Sequence, residues 1–260
     1  METISLLTLF GLFLLTVVAG AIDAMAGGGG LLTVPALLAV GLDPVSALAT
    51  NKAQGIFSAL SAMIHFWRQG KIKLRDHVVP ALASYVGALV GAASLSFADP
   101  NFLKKFVPFL LIAIALWVLF SPQLGHVQRK ARISFAACSL TLIPLVGCYD
   151  GFFGPGTGTF FALGLVSLLG MTLNEATLRA KIYNTASNLG ALSFFLFSGH
   201  IVWVYGLTMG VGMFIGGNIG ARLILKHGTN LIKPVLVVVS LAMSAKLLWQ
   251  QGMIQKLLNI

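Results

Sequence analysis

The sequence predicts an all-α polytopic membrane protein: two homologous repeats, inverted relative to each other, each with about four full helices plus a short broken segment, about 8–10 membrane segments in all. Three observations carry that prediction. Of the 260 residues, 57% are hydrophobic and 9% charged, with a mean hydropathy of +0.93, whereas a soluble domain carries about 25% charged residues. Apolar runs such as 107–120 and 201–225 approach or reach the length that crosses hydrocarbon, and none alternates as a membrane β-strand would. An acid beside a helix-breaking glycine cluster also occurs twice. Gly20-Ala21-Ile22-Asp23 leads into Gly27-Gly28-Gly29-Gly30, and Gly147-Cys148-Tyr149-Asp150-Gly151 leads into Gly154-Pro155-Gly156-Thr157-Gly158.

The first repeat, 1–125, holds apolar segments at 6–26, 31–41, 45–67, 78–98 and 102–120. The first ends at the glycine run, which releases backbone groups that a continuous helix would consume. The second is short and points a helix N-terminus at the break. The third opens with a polar stripe, since Asn51, Gln54 and Ser58 share a helical face. In the fourth, Gly87 and Gly91 are spaced by four, a seam that lets helices approach closely.

The second repeat, 126–260, holds segments at 133–153, 159–170, 173–198, 201–225 and 231–248. Lys181, Asn184 and Asn188 form its polar stripe, and Gly212, Gly216 and Gly220 its seam. Together the two repeats are expected to form one transport domain.

Duplication rests on spacing. Asp23 and Asp150 are 127 apart, while Lys52 and Lys181 are 129 apart. The offset of 129 also pairs Gly70 with Gly199, Gly87 with Gly216, Gly91 with Gly220, Asn101 with Asn230 and Lys104 with Lys233. One two-residue shift reconciles the series.

Charge sets the orientation. Three linkers are basic: Arg68, Lys71, Lys73 and Arg75; Arg129, Lys130 and Arg132; and Arg222, Lys226 and Lys233. Placing them in the cytoplasm leaves the Gly70 turn inside, its counterpart Gly199 outside, and both termini periplasmic. The first three segments of each repeat must then cross an odd number of times. Eleven helical residues give ~16 Å and four extended glycines ~13 Å, just enough for the short segment to cross. A re-entrant loop would instead make the repeats parallel.

The net charge of +10 is read as topology, because no basic domain exists outside the apolar segments; nucleic acid is not an expected partner. Cys138 and Cys148 have no neighbouring pair or histidine and read as small apolar residues, with neither a disulfide nor a metal site. Met1-Glu2-Thr3 carries an acid where a removable signal peptide wants a base. No nucleotide loop, HExxH or paired-histidine motif appears, so no enzyme, cofactor or direct ATP drive is expected.

Ionisable groups inside apolar segments are costly and need partners. The predicted substrate-binding residues are Gly28, Gly29, Asn51, Lys52, Gly156, Thr157, Lys181 and Asn184, for exposed amides, polar stripes and lysines all favour an anion. Asp23 and Asp150 are predicted to serve proton coupling or ion pairing with the lysines. The partners expected are a small anionic solute and the lipid bilayer. A homo-oligomer stays open, since glycine seams pack helices within one chain or between two. A scaffold or assembly protein and an anion channel are the alternatives.

These strings resemble a known group, the sulfite exporter TauE/SafE family, or toluene-sulfonate uptake permease group, and within it the YfcA-type bacterial members. The resemblance lies in residues 20–30, Pro35 and Ala49-Thr50-Asn51-Lys52, with the counterpart at 149–158, and extends from about Leu6 to Leu248. It implies a multi-pass protein of the bacterial inner membrane that moves sulfur-containing anions such as sulfite, thiosulfate or organosulfonates, and it reinforces Asp23, Asn51, Lys52 and Asp150.

Overall fold

The structure, a computed structural model, describes residues 5–120 and 128–227. Segment 231–248, with the counterparts Asn230 and Lys233, lies outside the described residues. Those described form an all-α, multi-pass architecture without strands.

Helix α1 (Leu6–Ala26) starts at Ser5, whose hydroxyl accepts from the Leu7 N–H, and stops at Gly27, which adopts φ +73°. Helix α2 (Gly30–Ala39) follows after three residues. Helix α3 (Pro44–Arg68) has proline at its first position, and the Asp43 carboxylate accepts from the Val45 and Ser46 N–H groups. A 3-10 turn, Leu74–His77, leads into α4 (Val78–Leu95), and α5 (Pro100–Phe120) closes the first half.

The 133–153 segment is two helices rather than one, α6 (Phe135–Leu140) and α7 (Leu142–Phe152), bent at Thr141. Pro144 explains the bend: it has no N–H for the Leu140 carbonyl, and its ring crowds that oxygen. Next come α8 (Thr157–Leu169), α9 (Leu173–Ser198), begun by the Thr172 side chain, and α10 (Trp203–His227).

Among the described residues, Leu6–Ala26, Leu74–Leu95, Phe135–Phe152 and Trp203–Lys226 are long and apolar enough to cross a membrane. Helices α3 and α9 are as long, with 25 and 26 residues, but carry buried polar stripes. They pack on each other, with α10 against α3 and α4 against α9. A polar stripe is tolerated there because protein, not lipid, surrounds it.

Glycine seams join the remaining pairs. A Cβ on Gly20 would lie 2.5 Å from the Met213 carbonyl oxygen, and one on Gly216 2.0 Å from that of Val17, so α1 and α10 touch backbone to backbone. Helices α4 and α7 meet likewise: a Cβ on Gly91 would lie 1.9 Å from the Cys148 carbonyl oxygen, and one on Gly87 2.2 Å from that of Pro144.

Two helical hairpins open toward opposite ends of this bundle. Leu12, Ala36, Leu37, Ala47, Tyr205 and Met209 cluster, gathering the mouth of the α1–α2 hairpin with the starts of α3 and α10. The Val202 N–H donates to Thr50 Oγ1 (3.0 Å) at that same end. At the other end, the N–H groups of Arg129 and Arg132 donate to the carbonyls of Gly170 and Leu168, both at 2.8 Å. Those bonds tie the chain entering α6 to the end of α8. His77, just after the basic turn that follows α3, meets Phe135 edge-on there, with ring centroids 5.7 Å apart.

Candidate functional site

The two glycine breaks meet in the middle of the bundle. A Cβ on Gly27 would fall 2.3 Å from Gly158 Cα, and one on Gly30 3.1 Å from Pro155 Cα. The Thr159 hydroxyl donates to the Ala26 carbonyl at 2.5 Å, joining the tips. Gly27 and Gly154 both adopt positive φ, +73° and +95°, which side chains resist. Glycine at 27 therefore serves both the turn and the close approach.

Four buried charges surround this junction and pair crosswise. Lys52 of α3 reaches Asp150 of α7 at 2.7 Å, and Lys181 of α9 reaches Asp23 of α1 at 3.4 Å. Each lysine thus pairs with an acid from the other half of the chain. Lys181 Nζ also donates to the main-chain carbonyl of Asp23. Each acid takes a serine from the polar helix of its own half: Ser58 donates to Asp23 Oδ2 at 2.9 Å, and Ser187 to Asp150 Oδ2 at 2.5 Å. The Thr157 hydroxyl donates to Asp150 Oδ1 at 2.7 Å, and the Gly29 N–H to Asp23 Oδ1 at 3.3 Å. The formal charges of the four groups sum to zero, so each desolvated ion has an opposite neighbour.

Two asparagines complete the ring. Asn51 Oδ1 accepts from the Thr33 hydroxyl (2.6 Å) and from Gln54 Nε2 (3.0 Å), while Asn184 Oδ1 accepts from Asn188 Nδ2 (2.7 Å). Their amide nitrogens lie beside the breaks: a Cβ on Gly30 would sit 3.4 Å from Asn51 Nδ2, and one on Gly158 3.4 Å from Asn184 Nδ2. Among the described residues, Gln54 Oε1 is the buried side-chain atom without a hydrogen-bond partner. No group of three or more His, Cys, Asp or Glu side chains among them has metal-binding proximity.

A polar cavity of about 20 Å³ lies between the breaks. Asp23, Asn51, Lys52, Asp150, Thr157 and Asn184 line it. Lys181 stands behind Asp23. Of the predicted glycines, Gly28, Gly29 and Gly156 are not on its wall; Gly27, Gly30 and Gly154 are. The Gly28 carbonyl accepts from the Leu31 N–H, Gly29 packs on Asp23 Cβ, and Gly156 turns toward Ile114.

Gly55, Asn188 and Met213 also line the cavity. Asn188 belongs to the α9 stripe, and the offset of 129 carries Ser58 onto Ser187. Met213 gave no signal, being an ordinary apolar residue on a packing helix. Glu175 and Arg179, four apart on α9, pair with each other at 2.5 Å and stay partly exposed, outside the site.

The model of the family described as "Sulfite exporter TauE/SafE" matches residues 12–247. A "Probable membrane transporter protein ORF9" from Sinorhizobium sp is 45% identical over 237 residues, covering 91% of both chains. A "Probable membrane transporter protein" from Haemophilus influenzae is 43% identical over 241 residues, 93% of this chain and 94% of the relative. The Escherichia coli "Probable membrane transporter protein YfcA" is 43% identical over 246 residues, 95% of this chain and 91% of the relative.

Proposed function

The chain belongs to the sulfite exporter TauE/SafE family and is a membrane transporter, not an enzyme; from that premise we propose that it carries small sulfur-containing anions by alternating access. The substrate class comprises sulfite, thiosulfate and organosulfonates. Movement is driven by a gradient or runs downhill. The observation that carries this reading is the crosswise pairing of Lys52 with Asp150 and Lys181 with Asp23 around two touching glycine breaks.

An anion displacing an acid from its lysine would find ready donors: the ammonium, the Asn51 and Asn184 amides, and the Thr157 hydroxyl. Gly28, Gly29 and Gly156 contribute by shaping the breaks. Asp23 and Asp150 hold the lysines until solute arrives, as ion-pair partners or proton carriers. A cavity of about 20 Å³ admits little more than one water, so a tetrahedral or pyramidal oxyanion requires the tips to part. Parting them toward one hairpin mouth and then the other is alternating access between two inverted halves, 1–125 and 126–260. The protein sits in the bacterial inner membrane with its basic turns in the cytoplasm and both termini periplasmic.

Flux of sulfite, thiosulfate and methanesulfonate into proteoliposomes is the test. Lys52→Ala and Lys181→Ala are expected to abolish it in protein that still elutes as a folded monodisperse species. Normal flux in both would remove the lysines from the mechanism, and discrete single-channel currents would replace the transporter with a channel.

A further inference from the structure

We propose that the two crosswise ion pairs divide the work: Asp23–Lys181 is the pair that opens for solute, with Asp23 taking up one proton per anion, while Asp150–Lys52 is a fixed lock. This rests on the transport reading above and names the coupling ion and the residue that carries it.

The pairs occupy corresponding positions but are not held alike. The Asp150 carboxylate accepts from Lys52, Thr157 and Ser187, all within 2.7 Å, and its side chain is 2% exposed. Asp23 accepts from Ser58 at 2.9 Å, from the Gly29 N–H at 3.3 Å and from Lys181 at 3.4 Å, and its side chain is 10% exposed. Charge-assisted bonds weaken with distance, so the Asp23 carboxylate is the easier one to release. Lys181 is anchored by the main-chain carbonyl of Asp23. Its ammonium can turn to a solute while that anchor stays in place.

Charge balance supplies the proton. Among the described residues, the charged groups lining the cavity are Asp23 from α1, Lys52 from α3 and Asp150 from α7, with Lys181 of α9 behind Asp23 as its ion-pair partner; α2 presents Gly30, α8 Thr157 and α10 Met213, all uncharged. Their charges sum to zero, so a monovalent anion would leave the enclosed site at −1. Uptake of H⁺ by the Asp23 carboxylate, giving the neutral acid as Lys181 pairs with the solute, restores zero. When the solute leaves on the far side, Lys181 returns and the Asp23 carboxyl releases the proton. A monovalent sulfonate is then carried without net charge, whereas divalent thiosulfate carries one negative charge.

Proteoliposomes holding the full chain and a luminal pH dye test this with methanesulfonate and thiosulfate. The wild-type protein should acidify the lumen as anion enters, and an inward proton gradient should raise flux several-fold. A membrane potential should alter thiosulfate flux and leave methanesulfonate flux unchanged. In Asp23→Asn, whatever flux survives should show no stimulation by the gradient. In Asp150→Asn, flux should fall, but the surviving fraction should keep its stimulation. Wild-type flux without proton movement overturns the proposal, as does lost stimulation in Asp150→Asn with stimulation kept in Asp23→Asn. The wild-type measurement stands even if a variant does not fold. Absence of flux for every sulfur anion tried would instead overturn the transport reading itself.

Discussion

At the scale of single residues, a lysine 1% exposed in the middle of a helical bundle is tolerable only because a carboxylate meets it. Removing one partner strands the other charge in a medium that cannot solvate it. Lys52→Met is therefore expected to destabilise the protein by about 3–5 kcal/mol, whereas Lys52→Met/Asp150→Asn should recover most of that loss. Thermal unfolding of both variants in detergent reads the difference; a double variant no more stable than the single would refute the pairing argument. Asp23, Asp150, Lys52 and Lys181 were legible in the sequence because a charge inside an apolar run has few roles. The identity of each partner was not legible, because pairing across halves depends on how α3 and α9 cross. Gln54 illustrates the limit. Its place on the polar stripe was readable, yet its unpartnered Oε1 follows from a rotamer that composition does not specify.

Secondary-structure elements here are positioned by what glycine lacks. The seams of α1 with α10 and of α4 with α7 place carbonyl oxygens where a methyl group would go. Without a water-driven attraction between apolar helices in lipid, that close contact provides the packing energy. Gly91→Ala would put its methyl 1.9 Å from the Cys148 carbonyl oxygen, forcing α4 off α7 at a cost of about 1–3 kcal/mol. Gly11, also within a helix, has nothing within 4 Å of its Cβ position, so Gly11→Ala should be neutral or stabilising by up to about 1 kcal/mol. Unfolding temperatures that fall only for Gly91→Ala support the seam; equal effects would refute it. Spacing by four exposed these seams before any coordinates. The bend at Thr141 is not legible from hydropathy, because 133–153 reads as one mostly apolar run in which only Pro144 signals it. Glycine clusters mark where the helices stop and restart, but which glycines face the cavity depends on the turn: φ at Gly27, Gly154 and Gly156 is positive, which rotates successive amides to different sides.

For the whole molecule, the decisive geometry is that the α1–α2 hairpin and the α6/α7–α8 hairpin open to opposite ends while their tips touch. Under the transport reading we propose, one central site would be exposed to either side in turn, with no new site formed. Basic residues mark one end: Lys71, Lys73 and Arg75 precede His77, which lies against Phe135 near the irregular stretch Arg129–Arg132. The positive-inside rule is the ground on which we propose that end to be cytoplasmic. The argument predicts how single cysteines, introduced after Cys138→Ala and Cys148→Ala, react with an impermeant maleimide on intact cells. Leu42→Cys at the α2 end and Ser96→Cys after α4 should label from outside. Lys71→Cys and Lys130→Cys should label only after permeabilisation. If Leu42→Cys and Lys130→Cys label from the same side, the hairpins do not open across the membrane from each other. A site at their tips then could not serve both compartments, and the crosswise ion pairs would be left with a structural role alone.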